Sequence, residues 1–271
     1  MKDLRARLGF GAPIVALVTG AFWLDRGVAG PWITIGIFSL LAIAAQIECC
    51  AMLKAGGLQP NVPASLALGI STLAAAAFGW PSALALVLPL AAYLALEVLD
   101  RVPQGAARRI GGTVAAWAIV PLLLSSAVEM RAFEPQGWSW LIFLIAVCKA
   151  GDSAAYLIGT SLGRHKLIPE VSPNKSWEGA FASLGGSLLA AWAVAALAFP
   201  AGAAPATGLW VAAALVTNLG AQFGDLAESL IKRAGGVKDS AVALPAFGGA
   251  FDLVDSFLLA SPALAIFLLL A

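Results

Sequence analysis

Residues 138–161 read WSWLIFLIAVCKAGDSAAYLIGTS, an apolar run that also contains Lys149 and Asp152. A helix that crosses a bilayer needs about 20 predominantly apolar residues. Over the whole chain of 271 residues, 61% are hydrophobic and 11% are charged, whereas soluble domains contain about 25% charged residues. This composition excludes a soluble globular domain, a disordered chain and a secreted disulfide scaffold. It predicts an all-α, polytopic helical membrane protein.

The chain contains enough apolar stretches for about nine transmembrane helices, separated by segments with glycine, proline and charge. The first stretch has a basic start like that of a signal peptide, but no small-residue cleavage pattern follows it, so we predict a retained helix. The predicted spans are 9–24, 31–53, 62–79, 82–99, 110–129, 138–161, 178–199, 207–230 and 250–270.

The distribution of basic residues predicts the orientation of these spans. With the N-terminus in the cytoplasm, thirteen of the 16 Lys and Arg residues fall on the cytoplasmic side, and only Arg26 and Arg131 fall outside. An excess of Lys and Arg in cytoplasmic loops is the strongest sequence signal of orientation. We therefore expect a multi-pass membrane protein with a cytoplasmic N-terminus.

Charged side chains concentrate in the sixth, eighth and ninth predicted spans, which divides the chain into an N-terminal region, 1–135, and a polar region, 136–271. A charge inside a membrane is costly and is a functional hypothesis by default. We expect the polar faces of these spans to turn towards one another. The simpler alternative is a set of interhelical hydrogen bonds with a Lys149–Asp152 pair. The faces comprise Lys149, Asp152, Tyr156 and Thr160; Asn218, Gln222, Asp225, Ser229 and Lys232; and Asp252, Asp255 and Ser256.

Carboxylates without histidine or cysteine partners favour a hard, oxygen-preferring cation such as Mg²⁺. The single histidine excludes the two-histidine zinc motifs, and the three cysteines lie in apolar stretches. We interpret His165 as a solvated loop residue and Glu178 either as an acid in the first turn of a helix or as a catalytic group. A net charge of +1 gives no basic surface for a nucleic-acid partner.

The predicted cytoplasmic loops, 162–177 and 232–249, carry groups suited to binding phosphate. The turn Ser172–Glu178 is polar, Lys232, Arg233 and Lys238 are basic, and Gly248-Gly249 stands before a predicted helix start, where backbone N–H groups can approach an anion. No Walker A or G-x-G-x-x-G sequence is present. Together with the intramembrane carboxylates, these loops predict a site for a phosphorylated, Mg²⁺-bound cytosolic substrate beside the lipid phase.

The stretch from Ser229 to Ser256, with Lys232-Arg233, Lys238-Asp239, Pro245, Gly248-Gly249, Asp252 and Asp255 at fixed spacing, resembles the signature of the phosphatidate cytidylyltransferases, or CDP-diacylglycerol synthases. Asp152-Ser153, Ser172–Gly179 and Gly224–Ser229 are also similar to the family, so the resemblance covers about residues 145–260. It implies synthesis of CDP-diacylglycerol and pyrophosphate from CTP and phosphatidate by a membrane-embedded homodimer. The implied cofactor is Mg²⁺, and a second cation, which could be monovalent, is left open.

By this resemblance, the region 136–271 is catalytic, and 1–135 supports it or forms dimer and lipid contacts. The implied catalytic residues are Asp225, Asp252, Lys232, Lys238 and Asp239; the implied substrate-binding residues are Ser172, Asn174, Lys175, Ser176, Arg233, Gly248 and Gly249; and the implied metal ligands are Asp225, Asp252 and Asp255, with Asp152 and Asp239 nearby.

The chain departs from the signature in three places: Ala246-Phe247 stands for Gly-His, Leu253 for Arg, and Ala241 for Gly. These differences leave two alternatives open. One is an enzyme of the same fold that acts on another lipid phosphate, and the other is a non-catalytic or transporter-like relative.

Overall fold

The structure, a computed structural model, describes residues 31–80, 82–132, 136–200, 202–237 and 249–271. These residues form eight helices and one short hairpin. The elements are α1 (Trp32–Ala55), α2 (Val62–Phe78), α3 (Ser82–Leu99), α4 (Ala106–Arg131), α5 (Gly137–Leu162), β1 (Lys166–Ile168), β2 (Ser172–Ser176), α6 (Trp177–Leu197), α7 (Thr207–Ala234) and α8 (Ala250–Leu270).

Each predicted span within the described residues corresponds to one of these helices, with ends that differ by four residues or fewer. Five of them, α1, α4, α5, α6 and α8, are long and apolar enough to cross a membrane, whereas α2 is a shorter apolar helix. The protein is therefore an all-α, multi-pass membrane protein. The predicted total of nine spans is not confirmed, because only these five of the eight described helices are long and apolar enough to cross a membrane and the stretch 9–24 lies outside the described residues.

Helix α4 contains one π-helical turn, Ala118–Leu122, with Pro121 inside it. Proline removes one backbone donor and crowds the preceding turn, and π-helix occurs mostly as such single turns inside α-helices. The buried part of α4 packs against α1 and α2 in the N-terminal region. Between α1 and α2, Gln46 donates hydrogen bonds to the Ser65 carbonyl and hydroxyl at 2.7 and 2.8 Å.

The C-terminal half is built on close contacts of small residues. A Cβ atom at Gly224 of α7 would collide with the backbone carbonyl of Asp255 on α8. Only glycine permits this approach of the two backbones, and it brings the acidic faces of α7 and α8 together. A close α5–α6 pair completes this half, since a Cβ at Gly186 would lie 2.7 Å from the Ala154 Cβ.

A two-stranded antiparallel hairpin joins α5 to α6, with Lys166 opposite Ser176 and Ile168 opposite Ser172. The sequence predicted only a polar turn here. Strand β2 runs directly into α6, and the Ser176 hydroxyl accepts a hydrogen bond from the Gly179 N–H at 3.2 Å, an N-cap that fixes where the helix starts. The hairpin thereby holds its polar residues against α5 and α7.

Candidate active site

A cavity of about 700 Å³ lies between α5, the hairpin, α6 and α7. Four of the predicted substrate-binding residues, Ser172, Asn174, Lys175 and Ser176, line it from the hairpin. Asp152 and Asp225 line it from α5 and α7. The structure thus brings one predicted loop and two predicted intramembrane carboxylates to a single pocket, large enough for a small-molecule ligand.

Lys175 crosses the cavity to α7. Its Nζ atom lies 2.8 Å from Oδ2 of Asp225, and both side chains are only partly exposed. The pair presents one cation and one anion to the same pocket, so either group can exchange its partner for a charged ligand.

Three carboxylates gather where α7 meets α8. Oxygen atoms of Asp225, Glu228 and Asp255 all lie within 4.8 Å of one another. Asp225 and Asp255 belong to the predicted metal set, whereas Glu228 does not. Its position three residues after Asp225, on the same helical face, was the sequence signal that could have included it.

Lys232 joins this acidic cluster to Asp252. Its Nζ atom lies 2.6 Å from Oδ1 of Asp252 and also pairs with Glu228 one turn earlier on α7. The second carboxylate oxygen of Asp252 accepts a hydrogen bond from the Gly249 N–H at 3.0 Å. Asp252, predicted as a metal ligand, is therefore bound to a lysine and to the backbone at the edge of the cluster.

Lys149 bridges α5 and α8. Its Nζ atom donates to the Ser256 hydroxyl at 3.0 Å and to the Leu253 carbonyl at 3.4 Å, and it lies 3.4 Å from Oδ2 of Asp152. The expected Lys149–Asp152 pair is present, but it also connects two helices. The polar faces of α5 and α8 thus turn towards each other.

The deeper part of the polar face of α7 makes structural hydrogen bonds. The Asn218 amide donates to the hydroxyls of Ser183 and Ser187 on α6, each at 2.8 Å, and its oxygen accepts from Gln222 at 2.7 Å. The interhelical hydrogen-bond alternative thus holds for this deeper part, and the charged groups lie towards the cavity.

The remaining predicted residues lie at the edge of the site or outside the described ranges. Arg233 is exposed in the last turn of α7, and Gly249 is the N-cap residue of α8. Lys238, Asp239 and Gly248 lie outside the described residues, as does Phe247. His165 lies 2.6 Å from a Glu178 oxygen, which gives Glu178 a partner in the hairpin.

The charges and ligand types of the site fit a divalent cation. Among the described residues, five carboxylates and three ammonium groups meet here, which leaves a formal excess of two negative charges. Every anionic group offers oxygen, the ligand that Mg²⁺ prefers. The residues of this centre are Asp152, Asp225, Glu228, Asp252 and Asp255 with Lys149, Lys175 and Lys232.

Known proteins resemble this chain over about half of its length or over most of it. A phosphatidate cytidylyltransferase of Brucella suis is 44% identical over 140 residues, which is 51% of this chain and 50% of that protein. The uncharacterized protein YnbB of Escherichia coli is 31% identical over 87% of this chain and 79% of its own length. A phosphatidate cytidylyltransferase of Mycobacterium bovis is 29% identical over 95% of this chain and 85% of its own length.

The Brucella match spans about half the length of that relative. The model of the cytidylyltransferase family, by contrast, matches residues 6–271, which include all eight described helices, the hairpin and all of the acidic cluster. On this match, the chain belongs to the cytidylyltransferase family.

Proposed function

We propose that this protein is a phosphatidate cytidylyltransferase, which makes CDP-diacylglycerol and pyrophosphate from CTP and phosphatidate. The observation that carries the proposal is the contact of Lys175, on the hairpin wall of the cavity, with Asp225, which lines the same cavity and belongs to the acidic cluster of α7 and α8. Cationic and hydroxyl groups on one wall suit a triphosphate, and the carboxylates opposite suit its counter-cation. Relatives with this printed name support the assignment.

In the proposed reaction, a phosphate oxygen of phosphatidate attacks the α-phosphorus of CTP. A new P–O bond forms as the bond to the β-phosphate oxygen breaks, and pyrophosphate leaves. A phosphate monoester has a second pKa of about 6, so the nucleophile is largely a dianion at neutral pH. The site therefore needs no general base, and its task is to align two anions and neutralise their charge.

The lysines and the hairpin supply the phosphate contacts. Lys175 is placed to bind the triphosphate in exchange for Asp225, while hydroxyl and amide groups of Ser172 and Asn174 line the same wall. Lys232 forms ion pairs with Asp252 and Glu228 and so holds both carboxylates in position. Arg233, Lys238 and Asp239 follow in the chain as the remaining proposed contacts.

Mg²⁺ is the proposed cofactor, and Asp225, Glu228 and Asp255 are the residues that would hold it, with Asp252 beside them. When bound, the cation neutralises phosphate charge and polarises the reacting phosphorus. A second cation belongs to the same proposal. The alternative for Asp252 is a purely structural role, in which it binds Lys232 and no metal ion.

The proposed setting is a bacterial inner membrane, with the N-terminus and the hairpin in the cytoplasm and with two copies of the chain forming a dimer. The excess of Lys and Arg on that side supports the orientation. A water-soluble nucleotide would then enter the cavity from the cytoplasm, and the lipid substrate would enter from the bilayer.

Purified protein, incubated with labelled CTP, Mg²⁺ and a panel of lipid phosphates, tests the function. Equal amounts of CDP-lipid and pyrophosphate with phosphatidate are expected. Preference for a different lipid phosphate would support the alternative substrate that Phe247 and Leu253 suggest. No CTP consumption with any lipid, together with no thermal protection by CTP, would leave the non-catalytic alternative.

A further inference from the structure

Helix α8 begins at a residue that cannot cap it. Gly249 is its N-cap, and glycine has no side-chain oxygen to accept hydrogen bonds from the N–H groups of the first turn. These groups need partners in any buried helix start. Another part of the protein must therefore supply the acceptors.

Glu48 of α1 supplies them from the other half of the chain. Its Oε1 atom accepts a hydrogen bond from the Ala250 N–H, and its Oε2 atom accepts one from the Phe251 N–H, both at 2.9 Å. The neighbouring Gly249 N–H donates to Asp252. Two carboxylates thus engage three consecutive N–H groups, and the negative charge of Glu48 lies at the positive end of the helix dipole.

This contact fixes the part of α8 that carries site residues. Asp252 follows Phe251 directly and binds Lys232, and Asp255 joins the acidic cluster one turn later. Farther along the same helix pair, the rings of Phe38 and Phe257 pack edge to face at 6.0 Å. The aromatic contact holds α1 against α8, while the two hydrogen bonds of Glu48 set the position of its first turn.

We propose that Glu48 is a positioning residue for nucleotidyl transfer, acting through the first turn of α8 on Asp252 and Asp255. This inference rests on the proposed function. The competing interpretation is that the Glu48 carboxylate occupies the place of a substrate phosphate at the helix start. The two interpretations predict opposite changes in CTP affinity when the carboxylate is removed.

The test uses the full-length protein in lipid nanodiscs with Glu48→Ala and the milder Glu48→Gln, which keeps one acceptor at the same reach. Amide hydrogen exchange of peptides that cover 250–255 is measured without substrate. We expect faster exchange in Glu48→Ala, a smaller increase in Glu48→Gln, and unchanged exchange in peptides of α7.

Binding and turnover give the second readout. The Mg²⁺·CTP concentration for half-maximal thermal protection should rise by about tenfold in Glu48→Ala, and kcat should fall by up to about a hundredfold, since small misplacements of reacting groups cost about that much. Glu48→Gln should fall between the wild type and Glu48→Ala in both measurements.

Glu97→Gln is the matched control, because Glu97 is also a buried carboxylate of the N-terminal region and pairs with Arg109 at 2.9 Å, away from α8. It should lower the thermal stability without changing exchange at 250–255 or the protection by CTP. Unchanged exchange at 250–255 in Glu48→Ala would overturn the proposal, and so would tighter CTP binding. If the wild type shows no turnover, the proposed function fails, while exchange and CTP protection still decide whether Glu48 positions α8.

Discussion

The Nζ atom of Lys175 on β2 lies 2.8 Å from Oδ2 of Asp225 on α7. The contact ties the hairpin to the acidic face of α7 and places both groups on the wall of the cavity. The partly exposed aspartate orients the lysine, and phosphate oxygens can replace that aspartate as its partner.

Replacing Lys175 by Gln should raise the KM for CTP by about tenfold or more, since a hydrogen bond to a charged group contributes about 1.5–3 kcal/mol. Steady-state kinetics with varied CTP measures this. The control is Lys166→Gln, because Lys166 is an exposed residue of β1 on the same cavity, and it should change the KM less. Equal effects of the two variants would contradict a specific role of Lys175.

Removing one carboxylate of the acidic cluster, or that of the neighbouring Asp252, should abolish most activity. Asp225→Asn, Glu228→Gln and Asp252→Asn should each lower kcat at least about a hundredfold, because a metal clamp contributes several kcal/mol. Titration of Mn²⁺ followed by electron paramagnetic resonance should show weaker binding in Asp225→Asn and Glu228→Gln. Glu178→Gln, which changes a carboxylate that bonds to His165 outside the acidic cluster, is the control and should change kcat much less if Glu178 is only a first-turn acid. Full wild-type turnover in excess EDTA would rule out the metal.

Cysteine labelling tests the orientation. In a background without Cys49, Cys50 and Cys148, a cysteine at Lys175 or Lys238 should react with an impermeant maleimide only from the cytoplasmic side. A cysteine at Ala203 should react only from the other side. Labelling of positions 175 and 203 from the same side would be incompatible with the predicted arrangement of spans.

Two adjacent glycines of α6 offer a matched test of helix packing. A Cβ at Gly186 would lie 2.8 Å from the Ala150 carbonyl of α5, whereas a Cβ at Gly185 meets nothing within 4 Å. Gly186→Val should therefore lower the thermal unfolding temperature, because overpacking costs about 1–3 kcal/mol. Gly185→Val adds the same side chain without this collision, and an equal loss in both variants would refute close α5–α6 packing as the cause.

Phe247 stands where the family signature has histidine, and Phe247→His tests whether that change altered the enzyme. We expect the rate with phosphatidate to stay the same or to rise by up to about tenfold, the equivalent of one contact of about 1.4 kcal/mol. Phe247→Ala should weaken CTP or lipid binding and leave the metal requirement unchanged. A fall in rate in Phe247→His would indicate that phenylalanine contacts the substrate.

The sequence predicted the helix positions because the length of an apolar stretch depends only on neighbouring residues. The stretches 62–79 and 250–270 were predicted within one residue of the observed α2 and α8, since polar or glycine-containing segments border both. The hairpin was missed. Its strands have three and five residues, and the second contains a proline. No alternation of apolar and polar residues therefore indicates strands here.

The helical period of α7 predicted that Asp225 and Lys232 share a face, and the structure confirms that this face meets α5, α6 and α8. The period could not tell which carboxylates converge across helices. Glu228 joins Asp225 and Asp255, while Asp252 pairs with Lys232. That choice depends on how closely α7 approaches α8 at Gly224.

The sequence by itself determined the membrane class, the helix positions and the set of side chains that carry charge into the membrane, because hydrophobic length and helical period act over neighbouring residues. The tertiary structure alone decided the pairing of those charges. It also decided that Glu48, 202 residues before Ala250, binds the first turn of α8. Such contacts depend on the packing of distant helices, which no local spacing encodes.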